Sequence, residues 1–415
     1  MTVRAYIKCP TCDCAIVLKL QIDQSISTGW HLRFDCPSCG DSIDIPIDGS
    51  NNIKNSITES EVTSGYILGY NPILPNSRIN YFSPFKEAIE INFSLGIFMA
   101  LCSIIGADNV TKHSSELLKI QENLLPFSNW LKDLLPMLKS KNNKAFFKKL
   151  ATQLLNKKEY DDTGNAHDAY QDLIYASYEN MASSKYKKIV SPILLSNQQS
   201  LLSADHASIL EFKKLMKDLN IVIGSWKLEH AYSVISEYVD NIKDYLQSLL
   251  YFNNGNFEIP HDVQLFTTTI SHKNAMSFYA KAFECYMKIF PYMVAIDNYC
   301  NYGQFENFGA EDPKFNDLRR FCSLSYGKQI EIISDGHPSN NWLLSALSND
   351  LRNGNNHGSY RYDTLSQTIT VLDNNDQSKE IHHESLFDLC QRTHILILHI
   401  IEAIKMGNYF NKISQ

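Results

Sequence analysis

Two C-x2-C pairs in the first forty residues constrain this chain more than any other feature. Cys9, Pro10, Thr11 and Cys12 are followed, 23 residues on, by Cys36, Pro37, Ser38, Cys39 and Gly40. Each pair folds as a tight turn whose thiolates converge, and two such turns supply four sulfur ligands for a tetrahedral ion. A redox dithiol is the competing use of C-x2-C, but it leaves two pairs at this separation unexplained. Cys14 is surplus to a four-ligand site. It is the alternative to Cys12, and the proline in the knuckle favours Cys9 with Cys12. Cys102, Cys285, Cys300, Cys322 and Cys390 lie singly in apolar, mostly helical sequence. They read as small buried hydrophobes in a reducing compartment.

Short β-rich stretches surround the knuckles, at 16–20, 30–34 and 42–47, with Ser27, Thr28 and Gly29 at a turn. Residues 1–48 resemble a zinc ribbon, which implies structural zinc on Cys9, Cys12, Cys36 and Cys39. With so few aliphatic residues, the metal supplies most of the folding free energy of such a segment. Ribbons of this kind contact nucleic acid, dock proteins or serve as caps. Lys8, Lys19, His31 and Arg33 are too few to decide for nucleic acid.

The remaining sequence predicts a mainly α protein. Residues 49–84 form a polar linker and a proline-rich extended segment, 85–261 a helical middle domain, and 262–415 a carboxy-terminal helical domain. Ile235, Tyr238, Ile242, Tyr245 and Leu249 set one stripe on a helix expected over 226–251. A formal net charge of −7 over 415 residues excludes a strongly basic, non-specific polyanion binder. Eight lysines, Lys132, Lys139, Lys141, Lys144, Lys148, Lys149, Lys157 and Lys158, nonetheless cluster within 27 residues. A solvated helix face is the leading reading; phosphate contact, with Phe146 and Phe147 stacking a base, is the other. The apolar run from Phe93 to Ala107, about 15 residues, is short of the ~20 a bilayer core requires and reads as a buried helix. The amino terminus carries no signal-peptide stretch. A cytoplasmic protein with no membrane partner is expected.

Asp350 to Ser359 are the most informative residues of the second half. They follow a helix expected from Ser339, with Leu343, Leu344, Leu347 and Leu351 turned inward. In a continuous helix Arg352 and His357 would stand ~140° apart. Asn353, Gly354, Asn355 and Asn356 favour the left-handed conformation that ends helices. The spacing therefore predicts a break after Arg352 that turns His357 back beside it, a cation and an imidazole placed to handle phosphate. His382, His383 and Glu384 are candidate metal ligands, with a cap for the last helix as the favoured reading.

R-N-x3-H followed by Gly358, with Tyr362 and Asp363, a strand over 367–372 and a closing helix over 384–405, resembles the HEPN superfamily. Its motif is R-x4–6-H, often with Asn, Asp or His after the arginine. Arg352, Asn353 and His357 match those positions. Two upstream helices, 275–299 and 314–334, complete the bundle, so the resemblance covers about 262–412. Gly354 stands where the family more often has an aliphatic residue. The resemblance implies a metal-independent endoribonuclease, commonly a defence or toxin effector, that needs no catalytic cofactor. A ribose 2′-OH attacks its own phosphate and leaves a 2′,3′-cyclic end. His357 would be the general acid or base, Arg352 the stabiliser of phosphoryl charge, and Asn353 the group that orients them. It further implies an RNA substrate, a homodimer or larger oligomer joined through this domain, and an antitoxin or defence-system partner. The alternative is a non-catalytic module in which ribbon and bundle bind nucleic acid or protein.

Overall fold

The computed structural model describes residues 2–9, 11–21, 30–47, 68–71, 89–92, scattered positions from 106 to 129, and 131–137. It further describes 166–219, 225–254, 265–308 except 268, 317–336 and 341–413. The protein is mainly helical with small β elements. It folds as two compact units, each assembled from separate stretches of chain. Unit 1 takes 1–119, 243–278 and 350–391, and unit 2 takes 120–242, 279–349 and 392–415. Of the helix expected over 93–107 only Gly106 is described, outside any helix and at φ +83°, and all but one of the clustered lysines lie outside the described residues. Lys132, the exception, pairs with Asp240. No helix among the described residues is long and apolar enough to cross a membrane.

Unit 1 carries all nine strands found among the described residues. β1 (Thr2–Lys8) and β2 (Ala15–Gln21) form an antiparallel hairpin, flanked by β5 (Leu68–Asn71) and β6 (Ile89–Asn92) in the order β5-β1-β2-β6. β3 (Trp30–Asp35) and β4 (Ser42–Ile47) form a second hairpin. The first pairs Lys8 with Ala15 and the second pairs Asp35 with Ser42, so each cysteine pair sits in a six-residue loop at a hairpin tip. The third sheet is antiparallel, β7 (Tyr360–Asp363), β8 (Thr368–Leu372) and β9 (Glu380–Ser385). Ile369 and Val371 alternate into its core, as a half-buried strand requires.

Unit 2 is a helical core. In the second half of the chain helical residues cover 225–254, 272–302, 318–336, 341–357 and 386–413, broken at points the apolar pattern does not mark. The stripe of Ile235, Tyr238, Ile242, Tyr245 and Leu249 is buried as expected. Yet its helix divides at Asn241 into α4 (Ser225–Asp240) and α5 (Ile242–Asn254), counting α1 (Ala166–Met181), α2 (Ser184–Leu202) and α3 (His206–Asp218) before them. α6 (His272–Tyr302) extends the helix expected over 275–299. The helix expected over 314–334 is two, α7 (Leu318–Ser323) and α8 (Tyr326–Gly336). The helix expected from Ser339 also divides, into α9 (Asn341–Leu344) and α10 (Asn349–His357). Within unit 2 the Tyr279 hydroxyl serves that break: it donates to the Ala346 carbonyl at 3.0 Å and accepts from the Ser348 N–H at 2.8 Å.

α10 corrects the sequence reading at its most important point. The helix does not break after Arg352; it runs through to His357. Its end is a Schellman turn, with Ser359 N–H donating to the Gly354 carbonyl at 3.0 Å, Gly358 N–H donating to the Asn355 carbonyl at 3.3 Å, and Gly358 at φ +65°. Gly354 is there for close approach. A Cβ on it would meet Cγ1 of Val371 in β8 at 2.9 Å. The last helix, α11 (Leu386–Ile413), is capped by Ser385, whose hydroxyl accepts from the Asp388 N–H at 3.0 Å. His382, His383 and Glu384 are strand residues in β9, not its cap.

Candidate functional site

Unit 1 brings together three features that are distant in sequence: the cysteine knuckles, the start of α6, and the segment that follows the R-N-x3-H motif.

The knuckles are near copies. In each, the first cysteine donates its N–H across the loop, Cys9 to the Cys14 carbonyl at 2.9 Å and Cys36 to the Asp41 carbonyl at 2.7 Å. Its own carbonyl accepts from the residue four positions on, Asp13 at 3.0 Å and Gly40 at 2.8 Å. Both of those residues have positive φ, +59° and +73°. Thr11 donates to the Asp41 carboxylate and ties one knuckle to the other. All four sulfurs of Cys9, Cys12, Cys36 and Cys39 lie within 4.8 Å of one another. The Cys9–Cys39 and Cys12–Cys36 separations are 3.7 and 3.6 Å. A tetrahedron with Zn–S bonds of 2.3 Å has an edge of about 3.8 Å, whereas a disulfide needs about 2.05 Å. The donor set therefore fits a structural zinc ion. Cys14 stands outside it, its thiol turned to the Ala15 carbonyl at 3.7 Å. The Cys14 backbone N–H draws the Cys12 thiol down to about 7, while burial pushes Cys36 up.

Asp35, next to the second knuckle, is buried at 1% exposure. Its carboxylate accepts from the Ser42 hydroxyl at 2.6 Å and pairs with Nδ1 of His272 at 2.5 Å. His272 opens α6 and stacks on Tyr362 of β7 with ring centres 4.2 Å apart. Tyr360 meets the same imidazole edge-on at 5.9 Å. Burial, with the Asp35 charge beside it, pushes the Tyr362 phenol well up. Further ties hold the same elements. Arg33 donates to the Asp244 carboxylate at 2.7 Å, and Gln367 brackets the Thr267 backbone, accepting from its N–H at 2.8 Å and donating to its carbonyl at 2.7 Å. The second knuckle, the start of α6, Gly358, Tyr360 and residues 362–365 line a cleft of about 510 Å³.

The motif residues occupy the end of α10. Arg352 and Asn353 are half-buried, and His357 is exposed in the last turn. On a continuous helix Asn353 and His357 lie four residues and ~40° apart, while Arg352 and His357 stand ~140° apart. The Arg352 guanidinium donates to Oδ1 of Asn353 at 2.9 Å, so its head is held on the Asn353 side. Gly358, which follows His357, lines the cleft. Among the described residues, the cysteine set is the one group of donors placed to hold an ion. His382 and Glu384 pair with each other at 2.9 Å in β9 and form no larger cluster.

Sequence reasoning missed Asp35, His272 and Lys273. Asp35 and His272 are 237 positions apart, and neither lies in a spaced motif that marks it. No family model, curated protein or solved structure matches the chain.

Proposed function

We propose that the chain is a metal-independent endoribonuclease of HEPN type, with Arg352, Asn353 and His357 as its reactive group and zinc in a structural role at the knuckles. The observation that carries this reading is the Arg352–Asn353 bond at 2.9 Å. It offsets the angular gap of a continuous helix and directs a guanidinium toward the side of α10 that holds His357. The chemistry is transesterification: the ribose 2′-oxygen bonds to the adjacent phosphorus as the bond from phosphorus to the 5′-oxygen breaks. One proton leaves the 2′-OH and one reaches the departing oxygen. His357 moves one of these protons, and Arg352 stabilises the negative phosphoryl oxygens with its fork of donors.

One motif supplies one histidine, so a two-fold dimer that faces two α10 ends into a shared cleft completes the site. Defence or toxin action, with an inhibitor or a defence component as partner, is the role that suits such an enzyme.

The test is RNA cleavage in EDTA with analysis of the product ends. Cyclic 2′,3′-phosphates are expected, and His357→Ala and Arg352→Ala should each lower the rate by about 10²-fold or more with folding and zinc content intact. Strict magnesium dependence with 3′-hydroxyl ends would reject the assignment. RNA binding without cleavage would leave a binding module.

A further inference from the structure

The cleft beside the second knuckle holds more hydrogen-bonding capacity than unit 1 uses. His272 is 6% exposed and lines the cleft. Its Nδ1 is taken by Asp35, which leaves Nε2 as the ring atom open to another partner. Nε2 has no partner among the described residues, nor do the hydroxyls of Tyr360 and Tyr362 or the Nζ of Lys273, and all four residues line the same cleft. The carboxylates there are already engaged. Asp35 is held by Ser42 and His272, and Asp363 accepts from the Ser366 hydroxyl and from two backbone N–H groups. The Ser366 hydroxyl, first among these donors, draws the Asp363 carboxyl down. The amino end of α6, a 31-residue helix, adds the positive end of its dipole. One open imidazole nitrogen, two phenol hydroxyls, a lysine ammonium and a helix amino end suit a group with one hydroxyl and one phosphate. At about 510 Å³ the cleft is of nucleotide size.

We infer that this cleft seats one ribose-phosphate unit of an RNA strand, with Lys273, Tyr360 and Tyr362 on the phosphodiester and His272 Nε2 hydrogen-bonded to the ribose 2′-OH. Gly358 links it to the end of α10, so the seated nucleotide lies on the strand that leads to His357. The inference rests on the ribonuclease reading for its choice of RNA. It assigns His272 a positioning role, and the knuckle thereby becomes one wall of a binding site.

Binding is measured by anisotropy on full-length, zinc-loaded protein carrying His357→Ala, with RNA and DNA oligonucleotides of one sequence. Lys273→Ala and Tyr362→Phe should weaken RNA and DNA alike, by about 5- to 10-fold. Lys273→Ala should also lower the slope of log affinity against log salt by about 0.7. His272→Gln should weaken RNA by about 10-fold and leave DNA unchanged, because DNA has no 2′-OH. Affinities within twofold of the parent in all three variants would overturn the inference. So would full displacement of RNA by AMP at the concentration of the oligonucleotide, which would make this a free-nucleotide site. Wild-type protein that binds RNA through these residues yet never cuts it would sink the ribonuclease reading and leave the cleft assignment standing.

Discussion

Tyr170, Tyr178, Tyr232, Tyr238, Tyr279, Tyr286, Phe212, Phe283, Phe290, Phe308 and Phe321, the largest fully buried side chains among the described residues, all lie in unit 2. Unit 1 is tied instead by an aspartate on a histidine, an arginine on an aspartate, a glutamine bracketing a backbone, and four convergent cysteines. Apolar burial is non-directional and grows with area, so unit 2 can hold its shape over many helical registers. Polar ties hold only in one geometry, and they weaken together when one is lost. The comparison teaches where function belongs. Unit 1 presents its hydrogen-bonding groups along an open cleft, whereas unit 2 seals polar atoms such as the His399 ring nitrogens inside its core.

Metal removal should break the comparison most sharply. Structural zinc contributes about 10–16 kcal/mol of binding free energy in small sites, far more than any single contact in either unit. Purified protein should hold about one zinc per chain. A tight chelator, or Cys36→Ser, should remove amide protection at 2–47 and at 269–273, where the Asp35–His272 pair anchors the second knuckle. The amide protection of unit 2 should remain. Hydrogen exchange with mass spectrometry reads this directly. Protection unchanged at both segments in zinc-free protein would show that the knuckles hold without an ion, and simultaneous loss across unit 2 would show one cooperative block.

What was legible in the sequence follows the same division. The knuckles were readable because their ligands are three residues apart and the turn that joins them is local. The buried stripe from Ile235 to Leu249 was readable because helical periodicity reports burial, although not the break at Asn241. The end of α10 was misread because glycine has two uses. Gly354 supplies room against Val371, while Gly358 supplies the left-handed turn. Composition alone does not distinguish close approach from termination. The Asp35–His272 pair was illegible because only tertiary structure joins positions so far apart.

Gly354→Ala sharpens the contrast at smaller scale. In an exposed helix the change would stabilise by about 1 kcal/mol. Here the new Cβ meets both methyls of buried Val371, at 2.9 and 3.3 Å, and Val371 is a stiff β-branched residue in the middle strand of its sheet. The net effect should be a loss of about 1–3 kcal/mol, with displacement of the Arg352–Asn353 end of α10. Denaturant melts give the energy. Gly354→Ala together with Val371→Ala should recover part of it, and a stabilising Gly354→Ala alone would show that the helix shifts freely off the sheet.

The smallest effect belongs to unit 2 and comes from His399. It is buried against Trp342 and Tyr286, and neither ring nitrogen has a hydrogen-bond partner among the described residues. Burial pulls its pKa down to about 3 from an ordinary 6.5. Between those values the unfolded chain binds a proton that the folded chain does not. Stability contributed by the neutral ring is therefore full above pH 6.5 and is lost as pH falls toward 3. From pH 7 to 5.5 the loss is roughly 1.2 kcal/mol, on the 1.36 kcal/mol per pH unit that one proton carries. Acid also loosens zinc from cysteines in unit 1, so the wild-type slope alone mixes the two units. His399→Leu separates them: it removes an unsatisfied polar ring from an apolar site at little cost near neutrality, and leaves the knuckles untouched. The difference in unfolding free energy between pH 7 and 5.5 should shrink by roughly 1 kcal/mol in His399→Leu relative to wild type. Identical acid slopes in the two proteins would place the whole acid sensitivity outside this ring, on groups such as His394, which burial also pulls down to about 3, and on the knuckles of unit 1.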